Sequence, residues 1–184
     1  MLRFFDVFVS LALLLVAWPF LLICILIGFF DTGSPIFIQE RVGLRKRPFK
    51  LIKLRTMSKD TLSVASHLAN HQSITKFGSL LRRSKMDELP QLINVLKGDM
   101  SLVGPRPNLF SQEELIVERE ALGVYNVLPG VTGLAQVKNI DMSMPKLLAE
   151  TDRKMIESLC IRNYFKYIFM TATGSGSGDA VKRN

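Results

Sequence analysis

The stretch LLRRSKMDELPQLINVLKGDMSLVGPRP, Leu80 to Pro107, sets two carboxylates, Asp87 and Glu88, just after three cations, Arg82, Arg83 and Lys85. Its middle has the periodicity of a helix. Leu89, Leu92, Ile93 and Leu96 fall at i, i+3, i+4 and i+7 on one apolar face, which predicts a helix from Glu88 to Lys97. Gly98 follows as a C′ residue that can take the left-handed conformation. At the other end Asp87 reads as the N-cap, with Glu88 favourable in the positive first turn and Pro90 tolerated there. A capping box on Ser84 is the alternative, but it pushes Pro90 deeper into the helix, where its missing N–H matters. A shorter helix is expected from Ile74 to Leu81.

The same residues suit phosphate chemistry. A helix N-terminus offers free N–H groups and a favourable potential to an anion. The Gly-Pro-Arg-Pro segment delivers Arg106 from a loop stiffened by Pro105 and Pro107, and a guanidinium binds phosphate oxygens through a two-pronged contact. Adjacent carboxylates such as Asp87 and Glu88 can hold Mg²⁺, which pairs one or two carboxylates with substrate phosphates. A carboxylate can also attack phosphorus to give an acyl phosphate. A capping Asp alone would explain the local pattern. The combination, beside a membrane anchor, points to phosphoryl transfer on a lipid.

That anchor lies toward the N-terminus. Val7 to Phe30 carries no charge and is long enough to cross a hydrocarbon layer of roughly 30 Å as a helix. It fits a cleaved signal peptide poorly: the apolar part is too long, and no small-x-small site precedes Asp31. Pro19 interrupts the run and bends a helix there. Residues 31–60 then hold eight Lys or Arg against three acids, which marks that side as cytoplasmic. Composition leaves open whether the helix spans or bends and returns. Alternation in Ile36, Ile38 and KLIKLRTM predicts a small hairpin, whose basic residues are read as facing an anionic membrane surface.

Toward the C-terminus an acidic, exposed helix is expected over residues 111–123, a turn-rich loop from Leu128 to Gln136, and a last helix from Ile156 to Thr171. In that last helix Tyr164, Phe165, Tyr167 and Phe169 alternate with Arg162 and Lys166, as suits either a headgroup-level helix or a core helix. His67 and His71 have metal-ligand spacing on a helix, but no Glu follows His67, so the zinc-protease pattern is absent. The formal net charge of +8 favours anionic partners. Nucleic acid is not among them, because the cations cluster beside the membrane segment and no DNA- or RNA-binding signature occurs. Two cysteines, Cys24 and Cys160, point to a reducing compartment. The expected fold class is α+β, mainly helical, with one small hairpin. Residues 1–30 form the anchor, 31–171 a cytosolic catalytic domain with membrane-surface helices, and 172–184 a flexible tail.

Five segments, FFDVFVSLALLLVAWP, GSPIFIQERVGL, FKLIKLRTM, DELPQLINVLKGDMSLVGPRP and PGVTGLAQV, resemble in order and spacing the small monotopic phosphoglycosyl transferases of bacterial glycoconjugate assembly. The resemblance implies transfer of a sugar-1-phosphate from a UDP-sugar to polyprenyl (undecaprenyl) phosphate, with UMP released and Mg²⁺ required. It implies that Asp87 is the nucleophile, that Glu88 assists through the metal or a proton, and that Arg82 and Arg106 contact phosphate. It further implies a re-entrant N-terminal helix at the cytoplasmic face of the bacterial inner membrane. Trp18 stands where the family has Ser before the kink proline, so the bend falls to Pro19. Leu134 and Lys138-Asn139 replace the family's Trp and Asn-Gly-Arg, so no sugar identity is carried over. The rival from another class is a non-catalytic, polybasic membrane-binding module, which gives no reason for the Asp-Glu and Gly-Pro-Arg-Pro segments.

Overall fold

The computed structural model describes residues 2–59 and 73–174, so His67, His71 and the tail from residue 175 lie outside the described residues. Helix α1, Leu2–Thr32, contains Pro19 in its interior. Most of its large apolar side chains are exposed, among them Phe4, Phe8, Leu15, Val16, Trp18, Phe20 and Phe30. A surface of that extent is not left to water in a soluble protein. Only Asp6, Ser10, Cys24 and Gly28 are buried.

Both ends of α1 rest on the same globular body. At the start, the Arg3 guanidinium donates to the carbonyls of Val95 (2.6 Å) and Met100 (3.1 Å). The Asp6 carboxylate accepts from Ser101 Oγ (2.9 Å), the Leu102 N–H (2.9 Å) and the Tyr164 hydroxyl (2.8 Å). Near the other end, Cys24 is buried with Leu54 and Leu81, flanked by Leu21, Ile25 and Phe77. Asp6→Ala strips three donors of an anionic acceptor and is expected to cost roughly 3 kcal/mol in a denaturant titration in detergent. A midpoint equal to that of the parent protein would show the node to be idle.

The hairpin forms as its alternation predicts. Strands β1, Ile36–Val42, and β2, Pro48–Leu54, pair antiparallel from Ile36 opposite Leu54 to Val42 opposite Pro48. Its cations do not form one membrane-facing set. Arg41 and Lys53 are turned into the protein and buried, while Lys46 at the tip pairs with Glu120. The reason is register: Arg41 hydrogen bonds to Gln39 and to the Pro107 carbonyl, and Lys53 stacks over Phe37.

Beyond the hairpin come α2, Lys76–Ser84, and α3, Gln91–Lys97. Gly98 closes α3 at φ 94, its N–H bonded to the carbonyls of Asn94 and Val95, as the sequence predicts. Strands β3, Ser101–Val103, and β4, Gly130–Thr132, form a parallel pair; β4 lies within the stretch expected as a turn-rich loop, Leu128 to Gln136. Helix α4 is Glu113–Ala121 and the short α5 is Leu134–Val137. The single C-terminal helix expected from Ile156 is instead two, α6, Pro145–Ser158, and α7, Ile161–Ala172. Leu159 and Cys160 are extended between them, and Asn163 Nδ2 caps the Ser158 carbonyl. Proline at the first position of α6 was the signal for that helix. The main core joins Leu51, Leu92, Val95, Met100, Val103, Val137, Met155, Tyr164 and Tyr167, with Phe5 and Val9 of α1 packed on it. The molecule is thus α+β and mainly helical.

Candidate active site

Asp87 and Glu88 are both buried, but Asp87 does not cap a helix. It sits in a 3-10 turn, Met86–Glu88, and α3 starts only at Gln91 with Pro90 in the N-cap place. Pro90 has no N–H to bond back to the Met86 carbonyl, which accepts from the Leu89 N–H in a tighter turn instead. The turn is closed by the Glu88 N–H to the Lys85 carbonyl (3.2 Å) and the Leu89 N–H to the Met86 carbonyl (3.3 Å). It packs against α2 and β2.

Arg106 meets this turn from the other side. Its Nη2 lies 2.7 Å from Glu88 Oε1. The loop that carries it is fixed by two glycine backbones in contact. The Gly104 N–H donates to the Thr132 carbonyl (2.9 Å) and the Gly130 N–H to the Pro105 carbonyl (2.8 Å). A Cβ on Gly130 would stand 2.0 Å from the Gly104 nitrogen, so no other residue fits there. Arg82 is on the last turn of α2, which leads into the 3-10 turn, and its Nε donates to Thr56 Oγ1 (2.8 Å).

Behind the Gly-Pro-Arg-Pro loop lies a buried polar network that sequence reading missed. Arg119 of α4 is 1% exposed; its Nη1 donates to the Arg106 carbonyl (2.8 Å) and to Asn108 Oδ1 (2.9 Å). Its Nη2 and Nε both reach Asp152 Oδ2 of α6, at 2.6 and 3.0 Å. The Tyr125 hydroxyl donates to the same Asn108 oxygen (3.0 Å). Burial pushes the Asp152 carboxyl above the ordinary carboxylate range, against the pull of the Arg119 guanidinium. The available signal was position: Arg119 shares a face of α4 with buried Leu115.

A small cleft opens beside Arg106, lined also by Arg41, Lys53, Gln91 and Val131. Arg41 and Lys53 are 6% and 8% exposed, so the two hairpin cations read as membrane-facing belong to this site instead. No carboxylate is among the lining residues. A cleft so lined favours an anion. Lys85 adjoins the dyad as well; burial lowers its affinity for a proton, Glu88 opposing that and Arg106 adding to it.

Among the described residues no group of three or more His, Cys, Asp or Glu side chains converges as a metal cage. The dyad still fits a hard cation of the Mg²⁺ type, which needs only one or two carboxylates when substrate phosphates and water complete its shell.

Comparison with known proteins agrees with this architecture. The family model for bacterial sugar transferases matches residues 1–176. Over 136 residues the chain is 43% identical to "Uncharacterized sugar transferase EpsL" of Bacillus subtilis, covering 73% of this chain and 67% of that one. It is 41% identical over 143 residues to the UDP-glucose:undecaprenyl-phosphate glucose-1-phosphate transferase of Caulobacter vibrioides, covering 75% of this chain and 54% of that protein. A third relative, the exopolysaccharide production protein PSS of Rhizobium leguminosarum, is 41% identical over 149 residues, 75% of this chain and 74% of its own. The chain thus spans about half the length of the Caulobacter enzyme and about three quarters of the Rhizobium protein. A match running almost end to end, on a fold that brings the Asp-Glu pair and the Gly-Pro-Arg-Pro loop together, makes this chain a member of the bacterial sugar transferase family.

Proposed function

We propose that the protein transfers a sugar-1-phosphate from a UDP-sugar to polyprenyl phosphate and releases UMP. The observation that carries the reading is the buried Asp87–Glu88 pair, held by Arg106 at the edge of a cleft lined by cations. A relative named as an undecaprenyl-phosphate glucose-1-phosphate transferase supports the substrate class. Asp87 Oδ forms a bond to the sugar-bearing phosphorus while the bond from that phosphorus to UMP breaks, and UMP leaves with the electron pair. A phosphate oxygen of the lipid then bonds to the same phosphorus, the bond to Asp87 breaks, and the carboxylate is restored. Arg106, with Arg41 and Lys53 in the cleft, offsets charge on the departing nucleotide, as a dissociative phosphoryl transfer requires. Asp87 and Glu88 would hold Mg²⁺, which supplies charge neutralisation on the phosphates when bound. Glu88, kept in place by Arg106, takes the acceptor's proton.

The reaction is tested by UMP release over a panel of UDP-sugars, with polyprenyl phosphate in detergent. At least one sugar should give release that depends on the lipid phosphate; none doing so overturns the reading. Within that assay, Arg106→Lys keeps the charge and loses the fork. Turnover should fall by about a hundredfold, the scale of losing one charge-stabilising donor, with the melting temperature little changed. Equal activity in the two proteins would reduce Arg106 to a structural residue.

We also propose that α1 is re-entrant and enters and leaves the bacterial inner membrane on the cytoplasmic face. The contacts of Arg3 and Asp6 at one end, and of Cys24 at the other, with one globular body support this, since a spanning helix would carry one end to the far side. A cysteine added at the N-terminus, with Cys24 and Cys160 replaced, should resist a membrane-impermeant reagent in spheroplasts and react after lysis. Labelling in intact spheroplasts would defeat the topology. The polybasic-module reading is disfavoured by the burial of Arg41 and Lys53 and the Lys46–Glu120 pair.

A further inference from the structure

Lys85 ends α2 in the left-handed region, at φ 57 and ψ 17. Glycine takes that conformation freely and Asn often does, whereas a lysine enters it against steric strain. Its N–H bonds to the carbonyls of Leu81 and Arg82 would form as well from glycine, so the backbone gives no reason for this side chain. The ammonium has a definite address. Nζ donates to the Thr171 carbonyl (3.4 Å) in the last turn of α7, and the charges of Glu88 and Arg106 act on it.

Helix α7 is the element that joins this point to the apolar exterior. One face buries Tyr164 and Tyr167 in the core, while Phe165 and Phe169 are exposed on the other. Phe165 meets Phe5 of α1 edge to face at 5.3 Å, so the outer face of α7 continues the surface on which α1 exposes Phe4 and Phe8. Thr171, whose carbonyl Lys85 Nζ meets, lies two residues beyond the exposed Phe169 on the same helix. Lys85 is not among the residues lining the cleft that holds Arg41, Lys53 and Arg106. Lys85 thus stands at the end of α7, while Arg41 and Lys53 line the cleft with Arg106, whose charge also reaches Lys85.

We infer that Lys85 binds the phosphate of the lipid acceptor, between the apolar face of α7 and the Asp87–Glu88 pair; this rests on the transferase reading above. The competing role is purely structural: an ammonium at the C-terminal end of α7 interacts favourably with its last carbonyls.

Lys85→Gly separates the two, because glycine relieves the backbone strain and the variant should fold. Steady-state kinetics would be measured for the parent, Lys85→Gly and Lys85→Arg with undecaprenyl phosphate and with whichever UDP-sugar supports UMP release. Lys85→Gly is expected to raise KM for undecaprenyl phosphate about tenfold or more, the loss of one charge-assisted hydrogen bond. KM for the UDP-sugar should stay within about twofold, a shift too small to signal a lost contact, and Lys85→Arg should recover most of the acceptor affinity. Both KM values rising together, the UDP-sugar value rising alone, or kcat falling with neither changed would overturn the inference. So would Lys85→Gly behaving as the parent. A parent protein that releases no UMP from any UDP-sugar would instead overturn the transferase reading, and the inference with it.

Discussion

Asp87→Asn is expected to abolish turnover in a protein that stays folded. The amide matches the carboxylate in size, so the buried site beside β2 should accept it with little repacking. It cannot form an acyl phosphate. A loss of about 10⁴-fold or more is expected, the scale seen when an attacking group is removed. Given UDP-sugar and Mg²⁺ without lipid, the parent should release at most one equivalent of UMP and gain the mass of a sugar phosphate on Asp87. Near-normal activity in the folded Asn variant would reduce Asp87 to a structural residue. An inactive variant beside a parent that never forms an adduct would favour direct transfer, with Asp87 only binding metal.

Arg119→Met should be the most destabilising single change at the site. It leaves the Asp152 carboxylate buried without its cation, and breaking such a pair costs about 3–5 kcal/mol. Adding Asp152→Leu removes the stranded charge, and much of the stability should return in denaturant titrations. Activity should not return with it, because the Arg106 carbonyl has still lost the Nη1 donor that fixes its loop. A double variant that regains both would show the network to be structural only. A single variant within about 1 kcal/mol of the parent would show that the pair is not closed in solution.

Local pattern carried some of this and not the rest. The hairpin, the start of α2 to within two residues and the Gly98 stop were legible because each rests on near-neighbour chemistry: alternation, helical spacing, a left-handed cap. The pairing of Glu88 with Arg106 was foreshadowed by two segments that both suit phosphate, although only the fold brings them to 2.7 Å. The readings that failed depended on distant partners. Strand β4 is three residues long and exists because β3 and two touching glycines receive it. Arg41 and Lys53 looked like surface charge, but Arg41 is taken up by the Pro107 carbonyl of the loop after Arg106 and Lys53 lies over Phe37. Arg119 sat in a helix read as acidic and exposed, and only Asp152 and Asn108 reveal its role. The cap assigned to Asp87 failed for a local reason: Pro90 delays the helix, and a tighter turn fills the gap.

The Asp6 node also sets an order of events in the making of the protein. Asp6 leaves the ribosome well before its partners, which lie 95, 96 and 158 residues further along the chain. Synthesis runs from the N-terminus at a few residues per second, roughly 5–20. For most of that time the apolar α1 has no body of its own to lean on, and its exposed rings have only the bilayer. The carboxylate must wait until Tyr164, 158 residues later, arrives to close over it. Helix α1 is therefore made first and the node that fastens it is closed later. Helix α7 is thus the latch on α1, and a nascent chain stopped before α7 would lack the hydroxyl that closes over Asp6.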